Sequence, residues 1–153
     1  MRIWIDADAC PGPVREIVIR ASAREQVPVV FVANKGLNLP ASPLVSTVRV
    51  AQGLDVADMH IASKAQPGDL TVTQDIPLAA ELVGKGVVVL DPRGEVFTEE
   101  SVGERRSVRD FMHELREAGV DTGGPRGFGP KDRQRFASSF DRELSRLLRE
   151  GRG

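Results

Sequence analysis

Cysteine is almost absent from this sequence, which carries a single one, Cys10. No disulfide can form within the chain, and a zinc site of the Cys-x-x-Cys kind is excluded. A reducing, cytoplasmic setting is therefore expected. Long apolar runs are missing as well. No stretch approaches the roughly 18 consecutive apolar residues of a membrane span, and Arg2 is followed by no apolar segment of the signal-peptide kind. A soluble, unexported protein with no membrane partner is the expectation. Residues 27–54 contain no Asp or Glu. There is also no G-x-x-x-x-G-K-[ST] phosphate loop and no internal repeat.

What remains is enough for one core. The chain has 153 residues, 41% of them hydrophobic and 28% charged, and a chain of this size buries about 70% of its unfolded surface. A single domain over residues 1–150 is expected, with 151–153 as a frayed tail. The net charge of −1 conceals an asymmetry, since residues 1–103 carry −4 and residues 104–153 carry +3. Solvated helix faces account for the basic half as readily as a polyanionic partner does.

The apolar pattern alternates between two periods. Arg2–Asp6 reads as a short buried strand, and Pro11 and Pro13 suit the first turn of a helix running to about Glu25, with Val14, Ile17, Val18 and Ala21 at helical spacing. VPVVFVA (27–33) is a β-branched run typical of a strand covered on both faces. A loop at 34–43, a strand at 44–50, a helix at 55–65, a strand at 69–73, a short helix from Ile76 and a strand at 87–90 follow. This order predicts an α/β fold of three layers with a mainly parallel sheet of about five strands. C-terminal helices complete it, marked by one apolar stripe of Val108, Phe111, Met112 and Leu115 and another of Phe136, Phe140, Leu144, Leu147 and Leu148.

In such a sheet, ligands bind outside the carboxyl ends of the strands, where the strand order reverses. The stretch DADACPGP (6–13) lies at the end of the first strand and carries Asp6 and Asp8. Asp55 and Asp58 sit three apart at a helix start, and Asp75 follows the fourth strand. Asp55 and Asp75 also read as helix caps. Asp6 has no such local role, and its burial is costly unless it is paired, hydrogen-bonded or bound to a cation. Clustered carboxylates repel one another, and a hard, oxygen-seeking Mg²⁺ or Mn²⁺ relieves that repulsion. These five aspartates are the candidate metal ligands. Cys10 adjoins a helix start, but neither His60 nor His113 is close to it in sequence, so it reads as structural.

The stretches DADACPGPVREI, VFVANKGLNLPAS, QGLDVADMHIA, GDLTVTQDIPLA, DPRGE and GGPRGFGPKD together resemble the YaiI/YqxD family of uncharacterised bacterial proteins, over almost the whole chain. That family is in turn similar to PIN-like domains, which are metal-dependent nucleases. The resemblance implies a PIN-like fold with Asp6 as the first acid, Asp58 at a helix start and Thr73-x-Asp75 as the late motif. PIN ribonucleases usually carry a further acid on a helix between these, and the acid-free stretch 27–54 departs from that pattern. Asp8 or Asp55 is placed to fill the vacancy.

The implied chemistry is metal-assisted hydrolysis of phosphodiester bonds in RNA or DNA, with RNA the first expectation. Asp6, Asp8, Asp58 and Asp75 are the candidate catalytic residues. Lys35, Arg93, Arg109 and Lys131 are candidates to meet substrate phosphates, and Asn34 to orient water or substrate. Two alternatives stand beside this reading. One is a non-catalytic binding module for nucleic acid or metal. The other is a haloacid-dehalogenase-type phosphatase, whose opening Asp6-x-Asp8 resembles, although Cys10 stands where that family has Thr.

Overall fold

A computed structural model describes residues 1–53, 56–103 and 127–152. The candidates Asp55 and Arg109, and the apolar stripe at 108–115, lie outside the described residues.

The first strand, β1 (Ile3–Asp6), is buried along its whole length and passes through a single 3₁₀ turn (Ala7–Ala9) into helix α1 (Gly12–Glu25). Pro11 caps that helix and Pro13 occupies its first turn, where a missing N–H costs nothing. The helix ends at Gln26, whose backbone is left-handed and whose N–H returns to the Ser22 carbonyl. Then come β2 (Val29–Ala33), β3 (Val45–Arg49), α2 (Val56–Lys64), β4 (Leu70–Val72), α3 (Ile76–Gly84) and β5 (Val88–Leu90). The last described element is α4 (Pro130–Arg152).

The five strands form one sheet in the order β3-β2-β1-β4-β5, and every pairing between them is parallel. Because side chains alternate across a strand, Ile3 and Ile5 point to one face and Trp4 to the other. The first face packs against Val14 and Val18 of α1 and Phe136, Phe140 and Leu144 of α4. The second packs against Ile61 of α2 and Ile76, Leu78, Ala79 and Leu82 of α3. Three layers result, as the alternating pattern predicts. Phe136 and Phe140 stack with ring centroids 5.4 Å apart and are fully buried. Truncating either ring to Ala removes about 3–5 kcal/mol of stability.

The edge strand β3 is the exception to burial, with Ser46, Thr47 and Arg49 exposed. Among the described residues no helix is long and apolar enough to cross a membrane.

The chain winds outward from β1 through β2 to β3, then returns to the other side of β1 as β4 and continues to β5. The strand order thus reverses between β1 and β4, and their carboxyl ends flank the crevice where α/β sheets bind ligands. At the opposite edge, Asp69 fixes the starts of the same strands. Its carboxylate accepts hydrogen bonds from Arg2 N (3.0 Å), Trp4 Nε1 (3.1 Å) and Gln66 N (2.9 Å).

Candidate functional site

Asp6 is the last residue of β1, and Thr73 lies one residue beyond β4, so the two meet across the reversal point. The Thr73 hydroxyl donates to Asp6 Oδ2 at 2.9 Å and accepts from the backbone N–H of Asp75 at 3.1 Å. Asp75 in turn caps α3, its Oδ1 accepting from Leu78 N at 2.8 Å. The Thr73 N–H donates to the Leu90 carbonyl at 3.0 Å and ties the motif to β5. Thr73-x-Asp75 is therefore one rigid turn that presents a hydroxyl to Asp6 and a carboxylate beside it.

Asp8 reaches this edge from the 3₁₀ turn. Its side chain is exposed and its Oδ2 accepts from the Asn34 N–H at 2.8 Å, which joins the end of β2 to the turn after β1. Asn34 thus holds Asp8 through its backbone N–H, a partner the sequence did not indicate.

The contrast between the two buried carboxylates is informative. Asp69 is satisfied by three N–H donors, whereas Asp6, only 8% exposed, receives a single hydroxyl, and its Oδ1 has no hydrogen-bond partner among the described residues. Burial pushes the Asp6 carboxyl above the usual carboxylate range. The Thr73 bond opposes that rise, and the neighbouring charges of Asp8 and Asp75 add to it. Three aspartates from two segments are thus electrostatically coupled at the carboxyl edge.

Asp58 lies half-buried in the first turn of α2, which the topology starts at the same edge of the sheet. Among the described residues, however, no group of three or more His, Cys, Asp or Glu side chains stands close enough to hold a metal ion. Mg²⁺ keeps most of its waters and is commonly held by one or two carboxylates together with substrate phosphates, so the chemistry of Asp6 and Asp75 is of the type such an ion takes.

The candidate cations divide. Lys35 is exposed directly after Asn34, and Lys131 is exposed in the first turn of α4. Arg93 is engaged structurally, with its Nε 3.5 Å from Asp132 Oδ1 and its Nη2 3.4 Å from the Gly127 carbonyl. Asp132 itself accepts from the Gly129 N–H at 3.0 Å and so closes the start of α4. The DPRGE stretch, which carries the phosphate candidate Arg93, docks the start of the C-terminal helix. Gly94 shows the closeness of that docking, because its φ is +90° and a Cβ there would lie 2.6 Å from the Arg135 carbonyl oxygen.

Cys10 is buried beneath the site, and burial, reinforced by Asp6 and opposed by Arg15, pushes its thiol up to about 12. It stays protonated at neutral pH and is no nucleophile. In the sequence Thr73 stands out only as part of the Thr73-x-Asp75 motif, and the structure adds its hydroxyl to the site. Its signal was the polar Thr at the end of an otherwise apolar strand, two residues before Asp75.

Comparison with known proteins gives a consistent result. The uncharacterised bacterial YaiI/YqxD family matches residues 4–146. A UPF0178 protein of Myxococcus xanthus is 68% identical over 149 residues, 97% of each chain. Another from Geobacter metallireducens is 60% identical over 99% of this chain and 98% of its own. A third, from Bordetella parapertussis, is 56% identical over 97% of this chain and 93% of its own. No solved structure matches the chain.

Proposed function

The chain belongs to the YaiI/YqxD family, and from that footing we propose that it is a metal-dependent nuclease of PIN-like type, hydrolysing phosphodiester bonds in RNA or DNA. The observation that carries the reading is Asp6, a largely buried acid at the reversal point that accepts one hydroxyl, from Thr73, and is coupled to the charges of Asp8 and Asp75. Its position supports a role in chemistry, because a purely structural acid at that depth gathers donors as Asp69 does.

Asp6 and Asp75 are the residues that would hold Mg²⁺ or Mn²⁺, with Asp8 and Asp58 as further candidates at the same edge. When bound, such an ion acidifies water and offsets phosphate charge. The chain's own groups do the remainder. Thr73 fixes the Asp6 carboxylate so that Oδ1 faces away from the hydrogen bond, open to a cation or to a proton from water. Asn34 holds Asp8 through its N–H. Lys35 and Lys131, both exposed, supply positive charge for substrate phosphates.

A second reading, a nucleic-acid or metal-binding module without turnover, is favoured by one observation: the described carboxylates form no group of three. The phosphatase reading is the weakest. Its nucleophile would be Asp6, whose Oδ2 is held by the Thr73 hydroxyl, and Cys10 stands where that family has Thr.

Single-turnover cleavage of short labelled RNA and DNA in Mn²⁺ tests the proposal. Cleavage by the wild type that is lost in Asp6→Asn, with binding retained, supports the nuclease. Binding without cleavage in both proteins gives the module reading.

A further inference from the structure

One groove outside the carboxylate cluster combines positive charge that forms no ion pair among the described residues with an apolar floor. It lies between α1 and the loop after β2 and encloses ≈ 750 Å³. On the helix side Gly12, Arg15, Glu16, Ile19 and Arg20 line it, a spacing that places all five on one face of α1. On the loop side the wall is the run from Lys35 to Pro40. Ile19, Leu37 and Leu39 are half-buried against the core and form the floor.

We propose that this groove binds a single strand of nucleic acid, carrying its backbone away from the carboxylate edge. The proposal rests on the nuclease reading only for where the strand comes from. Continuity with the site is the first argument. The Asn34 N–H that holds Asp8 directly precedes Lys35 at the mouth of the groove, and Gly12 begins α1 just after the 3₁₀ turn that carries Asp8. From Gly12 to Arg20 the helix then descends by about 12 Å.

Charge is the second argument. Among the described residues, Arg15, Arg20 and Lys35 make no ion pair, while the one acid on this wall, Glu16, faces Arg133 of α4 at 3.8 Å. The opposite wall comes from residues 27–54, the stretch without any Asp or Glu. A wall without acids does not repel phosphate. Chemistry is the third. Guanidinium planes stack on unpaired bases and pair with phosphates, and an apolar floor accepts the faces of sugars and bases. A duplex keeps its bases stacked inside and has no use for such a floor.

Binding of a labelled single-stranded RNA of about ten nucleotides, measured in EDTA at two salt concentrations, reads the groove without turnover. The combined variant Arg15→Ala, Arg20→Ala, Lys35→Ala is expected to lose about ten-fold in affinity and to flatten the logarithmic salt slope by about 2. Three exposed cations elsewhere, changed as Lys64→Ala, Arg135→Ala, Arg149→Ala, serve as the control and are expected to lose less than about two-fold. Lys35→Glu alone, in an exposed loop, keeps the test valid if the triple variant fails to fold. Equal losses in the two triples, unchanged binding in the groove variants, equal affinity for a duplex of the same sequence, or equal competition by polyglutamate would each overturn the proposal. Cleavage in Mn²⁺ on the same samples separates it from the nuclease reading. Groove-dependent binding without cutting sinks the nuclease and leaves the groove, whereas cutting with undiminished binding by the groove triple does the reverse.

Discussion

The Thr73 hydroxyl sits between two backbone-anchored partners, donating to Asp6 Oδ2 at 2.9 Å and accepting from Asp75 N at 3.1 Å. It couples the end of β1 to the cap of α3. Thr73→Val keeps the shape and removes both bonds. Asp6 then loses the hydrogen bond that opposes the upward push of burial, and the Asp75 N–H loses its acceptor. The expected cost is about 1–3 kcal/mol, read as a lower urea midpoint with an unchanged slope. A midpoint equal to that of the wild type would show that the bond is not made in solution.

Burial raises the Asp6 carboxyl above its ordinary value of 3.8, and the sign of the resulting pH dependence follows. The folded protein holds this proton more tightly than the unfolded chain does. The stabilisation it gives is present in full below 3.8 and is lost as pH rises through the higher folded value. Asn imitates the protonated acid, still accepts from Thr73, and removes the repulsion from Asp8 and Asp75. In EDTA, Asp6→Asn is therefore expected to melt above the wild type at pH 7, with the gap closing as pH falls toward 3.8. A variant that melts lower than the wild type at both ends would contradict the burial argument.

The frame of this molecule was legible because its strands are covered on both faces. VVFVA and IWID read as buried runs and are buried at every position. That Asp6 and Asp75 share one edge follows from each standing at or just past the end of a parallel strand, whereas the reversal between β1 and β4 is set by the strand order of the sheet. What the sequence could not convey was which partner each polar group chooses. Arg93 is a free cation on paper, but Asp132, 39 positions later, takes it up at the start of α4. Asn34 contributes an N–H, and every non-proline residue owns one, so no residue type announces it. The role of the Thr73 hydroxyl is not legible in its motif, because Thr is common in strands and its partner Asp6 lies 67 positions away.

Gly94 tests the docking of the C-terminal helix. Its φ of +90° disfavours any L side chain, and a Cβ would lie 2.6 Å from the Arg135 carbonyl oxygen, so the helix must move away. Strain of this kind costs of order 1–3 kcal/mol before the displacement is counted. Gly94→Ala is expected to lower the melting temperature by more than Gly84→Ala, where nothing lies within 4 Å. Equal effects at the two glycines would mean that α4 is not held against the DPRGE turn.

The carboxylate edge makes its own thermodynamic demand. An ion that binds only the folded chain stabilises it by RT ln(1 + [L]/Kd), about 2.7 kcal/mol at a hundred-fold excess over Kd. Mn²⁺ is therefore expected to raise the melting temperature of the wild type, and the rise should disappear in Asp6→Asn and in Asp75→Asn, the two carboxylates that flank the reversal point. Asp8→Asn is the informative intermediate, since Asp8 is coupled to Asp6 by charge but already accepts from Asn34. If Asp8 acts only as a neighbouring charge, the shift should shrink without vanishing, whereas a ligand would take it away entirely. Asp58→Asn carries the same question to α2. A rise of equal size in the wild type, Asp6→Asn and Asp75→Asn would place the ion elsewhere on the surface, and no rise in any of them would leave Asp6 as a strained acid that no cation relieves.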